Sequence, residues 1–530
     1  MMDAEDVSEA TVALLPAPGT RHPASWIATW IFAILPLLGW WLYGLFDLDE
    51  GFYGAVVAEM NRRGEWITPY FNGHPWFEKP VLLYWLAKPS VLLFGEWFGP
   101  RLPSILATIG TYLLIAWFAR RRWGDHAARW CVLVAATSLL IVGVGRMMMT
   151  DALLDLCLVG AFVFFWESLA GDHRWRLLSA FFLGLSVLAK GPVGIILFLL
   201  VIAYVYWREF DLRPAFRGSW PAGIPVLVAT IASWYVPAYL ANGREFVHKF
   251  LLEQNLNRFT GGDPAHTLPF TTGLLVYPIV LFVGMAPWSF YLWKAWPRSA
   301  PSTQHPVSGE ALDAQGSTAL DRYLAVWAVV PFAFFMVSKA KLPHYVLPCS
   351  VPIALLVGKY LAARSQAQVP ADRNWLASLR QLAYPIAVSI AAALVANAGF
   401  IYYYRQFHAE VHGLAFYVRD HLQPGEIVSA YQLPRREHEL GTGSLRIQET
   451  SHPSLVMYLD RTVAEPDDIG QLLDHPEPEW VITRANRFTT ADVDAIRRAR
   501  RDISQVGTTA RQSLYRLYYL TAAPGARTRR

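Results

Sequence analysis

Leu102–Gly145 reads LPSILATIGTYLLIAWFARRRWGDHAARWCVLVAATSLLIVGVG. Two apolar runs, 102–118 and 127–145, flank a short connection bracketed by Arg120, Arg121, Arg122 and Arg129. Each run is close to the roughly 20 residues a helix needs to cross a hydrocarbon layer of about 30 Å. Arginines gathered between two such runs mark a cytoplasmic turn, because positively charged residues are retained on that side of a membrane. The stretch reads as a helical hairpin that enters and leaves a bilayer, oriented by its own charges.

The same pattern extends in both directions. Apolar segments fall at 27–46, 80–94, 102–118, 127–145, 152–169, 177–189, 193–207, 221–240, 271–293, 323–337, 344–361 and 381–402. Basic residues recur in alternate connections: Arg174 and Arg176; Arg208, Arg213 and Arg217; Lys294, Arg298 and Arg322; Arg364, Arg373 and Arg380. If these face the cytoplasm, the connections 46–101, 146–151, 190–192, 241–270 and 338–343 face outward, with everything after 402. The parity holds only if the segment 80–94, interrupted at Lys88-Pro89, does not cross. It is expected as a juxtamembrane or re-entrant helix. The resulting fold class is a polytopic α-helical membrane protein of about 11 transmembrane helices plus juxtamembrane helices. Residues 1–25 form a cytoplasmic tail, acidic near its start and unlike a secretory signal. Residues 26–402 form the membrane module, and 403–530 a soluble extracytoplasmic α/β domain.

Composition agrees. Hydrophobic residues make up 54% of the chain and charged residues 16%, against about 25% charged in soluble domains. The net charge of +5 follows from topology and calls for no nucleic-acid partner. Cys131, Cys157 and Cys349 lie in apolar stretches and read as buried small hydrophobes. After 403 charges become frequent, and β-prone runs appear at Glu426–Ala430, Leu455–Tyr458 and Trp480–Thr483, with a helical pattern at Ala491–Arg501. Loop 299–320, rich in Ser, Gly, Pro and Gln, is expected to be flexible, and Pro524 to Arg530 reads as a basic tail. No P-loop, nucleotide fingerprint or zinc-protease motif occurs, so no nucleotide cofactor is expected.

Polar residues collect at the outward ends of the helices. Asp47-Leu48-Asp49-Glu50-Gly51-Phe52-Tyr53 follows the first span. Asp47 and Glu50 have capping-box spacing, but carboxylates at a membrane mouth also suit a general base or a metal shell. Glu78-Lys79-Pro80 opens the 80–94 helix, with an ammonium that can meet a lipid-linked phosphate. Asp151, after Arg146-Met147-Met148-Met149-Thr150, is expected at a helix N-cap, with Arg146 balancing it or reaching a phosphate. The 241–270 loop carries Glu253, Asn255, Arg258 and His266. Lys339, Lys341, His344 and Tyr345 crowd an outward turn that positive-inside bias should keep poor in lysine, which points to an anionic phosphate. Lys190, before Gly191-Pro192, reads as helix termination or structural pairing.

At these residues the chain resembles the GT-C class of polyprenyl-phosphate-dependent glycosyltransferases. Within it the chain is most similar to the bacterial lipid A aminoarabinose transferase family, related to protein O-mannosyltransferases. The motifs are Asp49-Glu50 with Tyr53, Glu78-Lys79-Pro80, Thr150-Asp151-Ala152, Ala189-Lys190-Gly191-Pro192 and Lys339-x-Lys341-Leu342-Pro343-x-Tyr345, spread over about residues 27 to 360. The resemblance implies an undecaprenyl-type sugar donor and an acceptor at the outer face of a bacterial cytoplasmic membrane. That acceptor is lipid A or another glycolipid, a glycan or a protein hydroxyl. It implies a catalytic set of Asp49, Asp151 and Glu50, with Asp49 as the base. Lys79, Arg258, Lys339, Lys341 and Tyr345 are expected on the donor phosphate, Tyr53 and His344 in support, and Glu78 with His266 on a divalent metal ion. Phe52 stands where the family often has arginine, which bears on donor or acceptor identity. A transporter is the competing class, but the polar residues favour one face over the mid-membrane.

Overall fold

The computed structural model describes residues 23–47, 49–169, 173–208, 220–257, 270–297, 311–338, 341–367, 382–433, 435–437, 448–450, 452–485, 487–499, 501–507 and 514–523. Its helices in chain order are α1 (Pro23–Ile34), α2 (Asp49–Arg63), α3 (Leu82–Phe98), α4 (Leu102–Ala136), α5 (Leu139–Gly145), α6 (Thr150–Ser168), α7 (His173–Lys190) and α8 (Val193–Arg208). There follow α9 (Trp220–Phe246), α10 (Phe270–Gly284), α11 (Ser289–Ala295), α12 (Ala311–Val337), α13 (Ser350–Ala367), α14 (Ala383–Phe407) and α15 (Ala409–His421).

Among the described residues, five helices are long and apolar enough to cross a membrane, or seven if two bent pairs each count as one span. Leu240, Leu275 and Leu394 stay exposed along them, as side chains facing lipid should. The quoted stretch folds as α4, broken at Gly124, where a φ of 80° turns the chain between the two apolar runs. The second run then breaks again at Thr137–Ser138 before α5. The segment expected not to cross is α3, which is absent from the spanning set. Lys88-Pro89 does not interrupt it. Lys88 is buried and donates to the carbonyls of Met60 and Glu65, and the helix breaks instead at Gly95, with φ 76°. Leu83, Tyr84 and Ala87 of α3 face the core while Leu92 and Leu93 are more than two-thirds exposed. Helix α12 begins at Ala311, so part of the loop expected to be flexible is helical.

After α15 the chain forms β3 (Ile427–Tyr431), α16 (Ser454–Tyr458), α17 (Ile469–Leu473), β6 (Glu479–Arg484), α18 (Thr490–Arg498), β7 (Ile503–Gln505) and β8 (Tyr515–Leu520). A four-stranded sheet runs in the order β3-β6-β8-β7, parallel at β3–β6 and antiparallel elsewhere. Two smaller ladders are β1 (Tyr70–Phe71) with β2 (His74–Pro75), and β4 (Arg435–Glu437) with β5 (Gln448–Thr450). The β-prone run at Leu455–Tyr458 is the helix α16 instead. Its side chains are buried on α2 and α15, so tertiary packing overrides the local strand preference. Helix α18 carries a capping box between Thr489 and Asp492. The three cysteines are free and buried.

Candidate active site

Helix α2 begins with Asp49 and Glu50 and ends with Arg62 and Arg63, so its charges complement the helix dipole at both ends. It is not a surface helix: Glu50 to Met60 are buried. Adjacent carboxylates at its start have opposite fates. Asp49 is exposed. Glu50 is almost wholly buried and holds Arg101 with two bonds, Oε1 to Nε at 2.7 Å and Oε2 to Nη2 at 2.6 Å. The remaining Glu50 lone pairs accept from the amides of Phe46 (2.9 Å) and Met148 (2.6 Å). Glu50 therefore serves as a structural anchor without an oxygen left for substrate, which removes it from the expected catalytic set. Its bond to Met148 ties the 146–151 connection to the start of α2, and so brings Asp151 toward Asp49.

The β1–β2 hairpin delivers the next group. Asn72 and Gly73 both have positive φ, 49° and 92°, the requirement of a tight two-residue hairpin turn, which Asn-Gly meets readily. Gly73 donates to Glu59 of α2 at 3.1 Å, and Trp76 stacks on Phe52 at 4.9 Å. Pro75 and Trp76 lead directly into Glu78 and Lys79, both half-buried. Tyr53 is the common neighbour. Its phenol is pushed far up first by burial and then by the charges of Asp49, Glu78 and Asp151, with Tyr84 beside them.

Asp151 lies in the first turn of α6, two residues inside the helix, whose N-cap is Met149 and not Asp151 itself. Its carboxylate pairs with Lys190, the last residue of α7, at 2.5 Å, and lies 3.7 Å from His344 Nε2. The Lys190 ammonium also sits 4.5 Å from the centre of the Tyr345 ring, a cation–π contact. Lys79 acts electrostatically on Asp151 and His344, and Asp49 on His344. Asp49, Tyr53, Glu78, Lys79, Asp151, Lys190, His344 and Tyr345 thus converge from five separate parts of the chain. Lys190, read from sequence as a structural pairing residue, is paired as expected, but with a residue of this cluster.

Two other basic residues are employed elsewhere. Lys341 donates to the carbonyls of Met336 (2.8 Å) and Ser338 (2.6 Å) at the end of α12, where a cation complements the helix dipole. Arg146, expected to balance Asp151 or reach a phosphate, is fully buried and binds Pro36 O (3.0 Å) and Asn397 Oδ1 (2.9 Å) instead. Arg258, His266 and Lys339 lie outside the described residues.

The chain's relatives point the same way. Residues 78–236 match the family described as dolichyl-phosphate-mannose-protein mannosyltransferase. The undecaprenyl phosphate-alpha-4-amino-4-deoxy-L-arabinose arabinosyl transferase of Enterobacter sp. (strain 638) is 31% identical over 344 residues, 62% of this chain and 58% of that one. Its counterpart from Pseudomonas paraeruginosa (strain DSM 24068 / PA7) is 33% identical over 350 residues, 64% of this chain and 59% of that one. The chain therefore spans less than two thirds of the length of these curated relatives. The crystal structure of ArnT from Cupriavidus metallidurans bound to undecaprenyl phosphate superposes with a TM-score of 0.69 at 18% identity, covering 98% of both chains. Its apo form gives 0.66 at 19% identity, covering 94% of this chain and 98% of that one. The chain has the fold of a GT-C glycosyltransferase and resembles the aminoarabinose transferases in sequence.

Proposed function

We propose that the protein transfers a sugar from an undecaprenyl-phosphate-type donor to an acceptor at the outer face of the bacterial cytoplasmic membrane, with inversion at the sugar carbon. The observation that carries this reading is the convergence of exposed Asp49 with Lys79, Asp151, Lys190 and His344 around Tyr53. A phosphate leaving group needs cations, and an acceptor hydroxyl needs a base within reach. Lys79 supplies a cation for the donor phosphate, with Arg258, Lys339 and the Tyr345 hydroxyl as further contacts in the occupied site; Lys341, expected there too, is spent on the carbonyls at the end of α12. Asp49 takes the acceptor proton. Asp151 holds Lys190 and orients the cluster. The relatives' names support an amino-sugar donor of the 4-amino-4-deoxy-L-arabinose type and, with the motif resemblance, a lipid A-like acceptor.

The same reading takes eleven crossings, an inward amino terminus and an outward α/β domain after 403. Glu78 offers a carboxylate beside Tyr53, the oxygen donor that a hard divalent ion takes, and His266 would add an imidazole. Bound there, the ion supplies positive charge near the donor, and no step of the transfer runs through it. The match of residues 78–236 to protein mannosyltransferases supports a second acceptor class, protein hydroxyls.

Mass spectrometry of envelope lipids, glycans and proteins from cells with and without the gene separates these acceptors. The reading expects a pentose-sized amino-sugar adduct on lipid A that disappears with the gene. A glycopeptide adduct instead would move the acceptor to protein, and no difference in any fraction would reject the transfer.

A further inference from the structure

Two residues before Asp49, Asp47 turns away from the active site and into the region after α14. Its side chain is 3% exposed, and its ion-pair partners among the described residues are three imidazoles, with no lysine or arginine. Oδ2 lies 3.3 Å from His408 Nδ1, 2.9 Å from His452 Nδ1 and 3.8 Å from His412 Nε2. Asp47, His408 and His412 each offer a ligand atom, all within 4.8 Å of one another. We propose that Asp47, His408 and His412, joined by His452, bind a first-row divalent transition-metal ion of the zinc type, clamping the start of α2 to the C-terminal region.

The ligand spacing suits such an ion. Zinc–nitrogen bonds of about 2.0–2.1 Å in a tetrahedron put neighbouring ligand atoms about 3.3 Å apart, and the three distances from Asp47 bracket that value. Imidazole with one carboxylate is a donor set that zinc takes readily. The outer contacts fit at two of the three histidines, while His408 Nε2 is buried with no hydrogen-bond partner among the described residues. Metal-bound histidines are held through their second ring nitrogen: His412 Nδ1 meets the Tyr404 hydroxyl at 3.2 Å and His452 Nε2 meets the Tyr515 hydroxyl at 2.7 Å. Asp47 Oδ1 is held by the Ser454 amide at 3.0 Å and by its hydroxyl. A divalent ion would add full positive charge beside this buried carboxylate, whose ion-pair partners among the described residues are imidazoles. The site joins Asp47, just before α2, to His408 and His412 at the start of α15 and to His452 just before α16.

The test uses the full-length protein purified in detergent through a tag that binds no metal. Metal content is read by mass spectrometry, and melting temperature is followed with chelator and with added Zn²⁺. Wild type is expected to hold about one equivalent at this cluster, beside any ion held through Glu78, to lose about 5 °C or more of Tm on chelation, and to regain it with Zn²⁺. His408→Ala and His412→Ala should each cut the bound metal by about tenfold or more, while Glu78→Gln leaves this equivalent in place. Metal-free wild type whose Tm ignores both chelator and Zn²⁺ would overturn the proposal and leave the four side chains as a hydrogen-bonded network. Metal lost only with Glu78→Gln would overturn it too. Wild-type metal content and chelator response decide the matter even if a histidine variant fails to fold, and none of these readouts depends on sugar transfer.

Discussion

Asp49 and Glu50 are neighbours in sequence and opposites in role. Asp49→Asn keeps the size and much of the hydrogen bonding but removes the basic carboxylate. Turnover should fall roughly 10²-fold or more with an unchanged melting temperature, measured with a lipid-linked donor; near-normal turnover in a folded variant would take Asp49 out of that role. Glu50→Gln should behave the other way round. It strands the Arg101 charge in a site where both side chains are at most 1% exposed, a loss of about 3–5 kcal/mol, seen as a lowered unfolding midpoint. Lys79→Met should weaken donor use more than Lys294→Met on the exposed surface, and equal small losses in donor-concentration kinetics would reject Lys79 as a phosphate ligand. Lys88 is no fair comparison, because its ammonium holds Met60 and Glu65 carbonyls. The short motifs around Asp49, Glu78, Lys79, Asp151 and Tyr345 were readable because helix ends announce themselves locally. The task of Glu50 was not, because its partner Arg101 lies 51 residues away. The histidines about Asp47 were missed for the same reason, being 361 to 405 residues distant.

At the scale of elements, helix α2 organises the molecule, and its glycines decide what can lie against it. A Cβ at Gly51 would stand 2.8 Å from Asp47 Oδ1 and 2.9 Å from both Pro453 and the Ser454 amide. Gly51→Ala should therefore push α16 off α2 at a cost of about 1–3 kcal/mol, and faster proteolysis of the C-terminal region would register it. Apolar runs sufficed to find most of the long helices. Breaks were harder. Gly95 and Gly124 turn the chain with positive φ just outside the apolar runs, whereas the break at Thr137–Ser138 falls inside the run 127–145, where nothing in the sequence marks it. Leu455–Tyr458 misled in the other direction, since a strand-prone run becomes part of helix α16 once it is buried between α2 and α15.

At the scale of the whole molecule, the C-terminal region is bolted to the membrane body at several points beyond the Asp47 cluster. Asn72 of the hairpin exchanges two bonds with the backbone of Val463, at 2.9 and 2.8 Å, and Arg419 reaches Glu96 of α3 at 2.8 Å. The two regions must therefore share one side of the membrane. Reporter fusions at Ala10 and Asp474 should give opposite signals, and matching signals would refute the eleven-span topology. The central claim is sugar transfer from a polyprenyl-phosphate donor, and purified protein tests it most directly. Incubation with undecaprenyl-phosphate-linked aminoarabinose and a lipid A acceptor, followed by mass spectrometry of both lipids, should release undecaprenyl phosphate in step with acceptor modification, and Asp49→Asn should cut both by roughly 10²-fold or more. A donor recovered intact after incubation with folded wild-type protein, or one cleaved equally well by the Asp49→Asn variant, would contradict the account.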